Sequence, residues 1–314
     1  MRAAATSEST SSMPVHPTPL EPAPPGLAPG RDLWLKREDQ HELGAFKWRG
    51  ALPTLRQYRD GGAATVVTAS TGNHGAAAAW AAQRLDMTAV VYAPEGTSRT
   101  KLGRMEELGA EVRLVGVDVD EAKDAARAFA ATEAVPFFED GAEPAQFAGY
   151  RAIGEEILEQ APRLPAAVVV PVGNGALLVG VGSALGEAAP EVERVGVVAA
   201  AAPVMALSHE AGEPVPCDEM ATFADGLAVR VAIPLAVAEL LRATDRMLQV
   251  SEREIAEAVG AYARVGIRAE GAAGAGLAAL GQVEADPVVV IMCGANIDDD
   301  LHSRAVKRPG TFPG

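Results

Sequence analysis

Six short runs rich in β-branched residues recur along the chain, and alanine-rich stretches too long to be turns lie between them. The runs are ATVVT (64–68), TAVVYA (88–93), EVRLVGV (111–117), AAVVVPV (166–172), ERVGVVAA (193–200) and PVVVIMCG (287–294). The intervening sequence predicts helices over 74–84, 99–109, 121–134, 144–160, 176–188 and 251–265. Most of the runs are continuously apolar instead of alternating, as strands covered on both faces are. Such strands separated by helices predict an α/β fold of doubly wound parallel sheets, with ligands collecting at the carboxyl ends of the strands. At 314 residues the chain has room for two lobes.

Charge narrows the partners. The net charge is −15, and so acidic a surface repels phosphate backbones and anionic lipid, which argues against nucleic acid and membrane as partners. No apolar run approaches the length that spans a bilayer. Residues 1–16, rich in serine, read as a disordered leader without the apolar core of a signal peptide. Two cysteines, Cys217 and Cys293, make no disulfide framework in a chain this long, and a reducing cytoplasm is the expected setting.

An anionic ligand therefore needs a local device, and three glycine-containing turns offer one. TASTGNHG (68–75) follows the first run with hydroxyls at Thr68, Ser70 and Thr71, an amide at Asn73 and the N–H groups of a helix start, a nest suited to a carboxylate. PVGNGALLVGV (171–181) opens a helix whose dipole and N–H groups suit a phosphate, although it meets neither the P-loop nor the GxGxxG pattern. CGANID (293–298) ends the last run with Cys293 at its lip. Each turn taken alone is also what ordinary strand-to-helix connections look like.

Taken in order, these segments resemble the fold-type II pyridoxal-phosphate enzymes, in the branch of the serine/threonine dehydratases and serine racemase. The matching pieces are TPL (18–20), LWLKREDQHELGAFKWRGAL (33–52), TASTGNHG (68–75), APEGTSRTKLGRMEELGAEVRLVG (93–116), AGYRAIGEEILEQ (148–160), VVVPVGNGALLVGV (168–181), FADGLAV (223–229), EGAAGAGLAAL (270–280) and CGANID (293–298). The resemblance implies two parallel-sheet lobes with pyridoxal 5'-phosphate in the cleft between them: a large lobe from 17–58 and 143–314, and a small mobile lobe from 59–142. It also implies a homodimer.

The same resemblance assigns roles. Lys47 matches the Schiff-base lysine that binds the cofactor aldehyde and later moves the substrate α-proton; an amine is the one side chain that forms such a link, and a desolvated amine is a usable base. Gly173, Asn174, Gly175, Ala176 and Leu177 match the phosphate cradle, where Asn174 and Ala176 interrupt the family's glycines. Asn73 matches the asparagine at the ring hydroxyl, Phe46 a residue packed on the ring, and Gly226 the glycine lining its far edge. Ser70, Thr71, Gly72, Asn73 and His74 match the loop that closes on the substrate carboxylate. Cys293 stands where the family faces the pyridine nitrogen with serine or cysteine, and Glu270 is either a cofactor contact or structural. A neutral thiol holds a proton on that nitrogen less well than a carboxylate does, which favours expulsion of a β-substituent over transamination.

The implied activity is that of a serine/threonine ammonia-lyase, an α,β-elimination yielding a 2-oxo acid and ammonia. Sibling chemistry is the alternative: elimination or β-replacement on diaminopropionate, hydroxyaspartate or serine, or racemisation. Racemising members carry a serine hydroxyl where Thr71 stands, and the β-branch of threonine restricts its χ1, which ranks elimination first. A silent binding protein on the same scaffold is a further alternative, opposed by the retention of Lys47 with the 70–75 loop. Many members hold a structural divalent cation after a strand that here continues as GVVAAAAPVMALS (196–208), without a carboxylate before Glu210. Hard cations need oxygen ligands, so no metal site is expected there. Ala45 replaces the usual serine, and YRA (150–152) the usual Gln-Gly-Thr, so both are expected to reshape the substrate pocket.

Overall fold

The computed structural model describes residues 17–218 and 220–314; the expected leader lies outside the described residues. In chain order the elements are β1 (Leu20–Pro22), β2 (Leu33–Arg37), α1 (Trp48–Asp60), β3 (Thr65–Ala69), α2 (Asn73–Arg84), β4 (Thr88–Ala93), α3 (Arg99–Glu107), β5 (Glu111–Leu114), α4 (Val119–Glu133) and α5 (Pro144–Gln160). There follow β6 (Ala167–Pro171), α6 (Ala176–Ala188), β7 (Glu193–Ala199), α7 (Val204–Ala211), α8 (Pro234–Ala243), β8 (Arg246–Val250), α9 (Glu252–Arg264), α10 (Gly271–Ala278), β9 (Val288–Met292) and α11 (Asp299–Lys307).

Two sheets organise these elements. The larger runs β1-β2-β9-β6-β7-β8, and the smaller β3-β4-β5. Every pairing is parallel except that of the edge strand β1 with β2. The two central strands β6 and β9 are buried at all five positions, which is why their sequences are apolar runs with no alternation. Three strands fall outside the six runs. β1 (LEP) and β8 (RMLQV) are edges with polar positions, and β2 carries Lys36 and Arg37, the first of them fully buried in an ion network.

Local chemistry sets the helix starts. Asp118 caps α4 by accepting from the N–H groups of Asp120 and Glu121, and Ser251 with Glu254 forms a capping box at α9. The run at 111–117 ends as a strand at Leu114, because the chain turns at Gly116 with φ +80°. The carboxyl ends of β2, β3, β6 and β9 lead into residues 38–47, 70–72, 172–175 and 293–298. One cavity of about 520 Å³ is lined by residues from all four of these segments.

Candidate active site

Lys47 is the N-cap of α1, and the backbone fixes where it stands. The N–H of the preceding residue, Phe46, donates to the carbonyl of Cys293 at 3.1 Å, and Ala45 bridges Gly294. The lysine is thereby tied to the end of β9 through two neighbours. Its ammonium lies 5.0 Å from the Phe46 ring centroid and donates to Asp140 Oδ2 at 2.5 Å. Phe46 in turn meets Tyr150 edge-on, with ring centroids 5.0 Å apart.

Two helix starts open onto the same cavity. In α2 the first helical bond runs from the Ala76 N–H to the Gly72 carbonyl, so the N–H groups of Asn73, His74 and Gly75 have no partner within the helix. The Ser70 hydroxyl holds this turn by accepting from the Gly72 N–H at 3.1 Å. In α6 the first helical bond joins the Val179 N–H to the Gly175 carbonyl. The Ala176 N–H is taken by Asn174 Oδ1 at 3.1 Å, which leaves the N–H groups of Leu177 and Leu178 open within the helix. This second start is built around missing side chains. Gly175 has φ +97°, and a Cβ on Gly173 would lie 2.2 Å from the carbonyl oxygen of Gly226. Backbone amides can approach an anion there without obstruction.

A chain of polar groups crosses the cavity wall. Arg104 donates to Asn296 Oδ1 at 2.5 Å. Asn296 donates to Asn73 Oδ1 at 2.7 Å and also lies 2.8 Å from the Leu43 carbonyl. Asn73 donates to Glu270 Oε2 at 3.0 Å, and the Cys293 thiol donates to Glu270 Oε1 at 3.7 Å. Burial pushes the Glu270 carboxyl up to about 6, against the hydrogen bonds from Asn73 and Cys293. Burial, followed by the Glu270 carboxyl, raises the Cys293 thiol well above its ordinary value, so it remains protonated and donates.

On the other side of Lys47 a second cluster gathers around Asp140. Its Oδ1 accepts from Gln146 at 3.1 Å and lies 3.4 Å from His74 Nδ1. Burial would raise this carboxyl, but the Lys47 ammonium, followed by His74, holds it well below the usual carboxylate range. Burial pushes the His74 imidazole below its ordinary value, and its other ring nitrogen stands 3.2 Å from the Phe138 carbonyl.

Of the residues singled out in the sequence, Phe46, Lys47, Ser70, Thr71, Gly72, Asn73, His74, Gly173, Asn174, Gly175, Leu177, Gly226, Glu270 and Cys293 all line this one cavity. Ala176 does not line it; it is fully buried behind the turn and offers only its backbone. Sequence reasoning missed Asp140, Asn296, Arg104 and Gln146. Asn296 lies inside the CGANID turn and was within reach of that reading. Asp140 sits in FEDGAE, one acid among several, and nothing in its spacing marks it.

The pyridoxal-phosphate-dependent enzyme family model matches residues 11–294. The L-threonine ammonia-lyase of Geobacter sulfurreducens is 35% identical over 285 residues, covering 89% of this chain and 71% of that protein. The L-threonine ammonia-lyase of Thermotoga maritima is 33% identical over 287 residues, with the same coverages of 89% and 71%. Among solved structures, the processed form of threonine deaminase isoform 2 from Solanum lycopersicum superposes with a TM-score of 0.87 at 29% identity, covering 95% of this chain and 89% of that one.

Proposed function

The chain belongs to the pyridoxal-phosphate-dependent enzyme family, and from that premise we propose that it is a serine/threonine ammonia-lyase, converting a β-hydroxy amino acid to a 2-oxo acid and ammonia. The likeness to two L-threonine ammonia-lyases over 89% of the chain supports the substrate class. The observation that carries the chemistry is the Lys47 amine in a cavity opened by two amide-bearing helix starts.

The residues present fit the cofactor. The Gly173–Leu177 turn, where a Cβ at Gly173 has no room, would hold its phosphate on backbone amides. Lys47 would carry its aldehyde carbon, Asn73 would meet its ring hydroxyl, and Phe46 and Gly226 would flank the ring. Cys293, with Glu270 beside it, would face the ring nitrogen. When bound, pyridoxal phosphate supplies an aldehyde that bonds an amine and an electron-poor ring that weakens the substrate α-C–H bond.

The protein's own groups do the rest. The loop from Ser70 to His74 orients the substrate α-carboxylate on the open N–H groups of α2. Lys47, freed as an amine, would take the substrate α-proton as a base. Asp140 accepts a hydrogen bond from the lysine once it is an ammonium, at the 2.5 Å contact already present. Thr71 presents its hydroxyl at the loop. Loss of the α-proton and the β-hydroxyl removes one water, and a second water later replaces the nitrogen, so ammonia and a 2-oxo acid leave with the atoms balanced.

The proposal extends to a homodimeric working form, to a cytoplasmic setting suited to a chain of two cysteines, and to residues 59–142, which contain the three-stranded sheet, moving as a lobe. Assay of the purified, cofactor-loaded enzyme on L-threonine and L-serine tests the activity. Stoichiometric release of ammonia and 2-oxo acid is expected, and no release from either amino acid would overturn it.

A further inference from the structure

The motifs leave Asp140 unexplained, yet its carboxylate touches Lys47. The other cationic side chains that line the cavity are already engaged. Lys101 pairs with Asp225, Lys123 with Glu139, Arg230 with Asp120 and Arg268 with Asp299, while Arg104 is bound to the Asn296 amide. The open N–H groups of α2 suit one carboxylate, and the α-carboxylate of an amino acid claims them. Arg104 alone has only neutral partners, the Asn296 amide and the Glu42 carbonyl, so beside Asp140 a second carboxylate on the substrate would meet no unpaired cation among the described residues. It would instead meet the Asp140 carboxyl, 2.5 Å from the Lys47 amine. Once Lys47 gives up its charge to act as a base, no ammonium balances Asp140, and a second carboxylate beside it makes two carboxyls share one site, which costs either repulsion or the uptake of a proton. A like charge nearby in a partly dry cavity is then repelled, whereas a hydroxyl or ammonium on the β-carbon finds an acceptor.

From this geometry we propose that Asp140 determines specificity by charge: the site takes amino acids whose β-substituent is neutral or cationic and donates a hydrogen bond, and turns away those with a β-carboxylate. The proposal rests on the pyridoxal-phosphate reading of the site and deepens it, separating β-hydroxy and β-amino substrates from hydroxyaspartate-like ones.

L-asparagine and L-aspartate are near-isosteric ligands that differ in this one charge and carry no β-hydroxyl to lose. Their apparent dissociation constants are measured on the loaded enzyme from the displacement of its cofactor absorption band. The wild type is expected to bind L-asparagine at least about tenfold more tightly than L-aspartate. Asp140→Asn is expected to narrow that ratio to within about threefold, and Asp140→Glu to keep it. Equal affinities in the wild type would overturn the proposal, as would an Asp140→Asn variant that weakens both ligands alike, the outcome of a merely structural role. The wild-type comparison stands even where a variant folds poorly. Ammonia release from L-threonine alongside equal binding of the two ligands would defeat only this inference, whereas charge discrimination without any ammonia release would defeat only the assigned activity.

Discussion

At single residues, the site is defined as much by absent side chains as by present ones. A methyl at Gly173 would lie 2.2 Å from the Gly226 carbonyl, a backbone atom that cannot swing away. Gly173→Ala is therefore expected to cost about 1–3 kcal/mol by overpacking and to weaken cofactor binding strongly, read by denaturant unfolding and by absorbance titration with pyridoxal phosphate. Glu270 gives a pH prediction. Its folded value of about 6 lies above the ordinary 4.5 because the buried carboxyl resists ionisation, so the folded state holds its proton longer than the unfolded chain. Stability from this group is intact below about 4.5 and declines as pH rises through about 6, by roughly 2 kcal/mol in all. Unfolding free energies of the apoenzyme across that window should fall more steeply in the wild type than in Glu270→Gln, and parallel curves would contradict the assignment. Much of this site was legible in the sequence, because backbone-built features leave local marks: glycines after a strand, and a lysine after Gly-Ala-Phe. Asp140 left none, since its meaning lies in a contact with a residue 93 positions away.

Among the elements, the placement of α1 decides where Lys47 points. Just beyond it, Arg49 is buried and donates to Glu38 at 2.8 and 2.9 Å and to Glu156 at 2.6 and 2.8 Å. Lys36 from β2 reaches the same Glu156 at 2.5 Å, so β2, α1 and α5 share one charge network. Arg49→Met should cost about 3–5 kcal/mol by stranding the Glu38 carboxylate and leaving Glu156 to Lys36 alone, a loss measurable by urea denaturation at neutral pH; a loss below about 1 kcal/mol would show the network to be dispensable. The network also explains why β2 was not legible as a strand. Strand patterns are read from apolar positions, and Lys36 is a charge that is fully buried because its partners arrive from α5, more than a hundred residues later. By contrast β6 and β9, enclosed between layers, declared themselves as unbroken valine runs.

For the molecule as a whole, the parallel topology brings strand ends from both sheets to one cavity, and a ligand there should bind the folded state alone. Pyridoxal phosphate at a thousand times its dissociation constant is expected to stabilise the protein by about 4 kcal/mol, visible as a higher melting temperature, with most of the gain lost in Lys47→Ala. The overall architecture was legible because alternating strands and helices permit few arrangements, whereas the way the strands divide into sheets of six and three depends on pairings that no local pattern encodes. The central claim is that Lys47 forms the covalent link to the cofactor. The loaded enzyme is reduced with borohydride, digested and mapped by mass spectrometry. A pyridoxyl group on the peptide containing Lys47 is the predicted result, and its appearance on another lysine, or on none, would contradict the account.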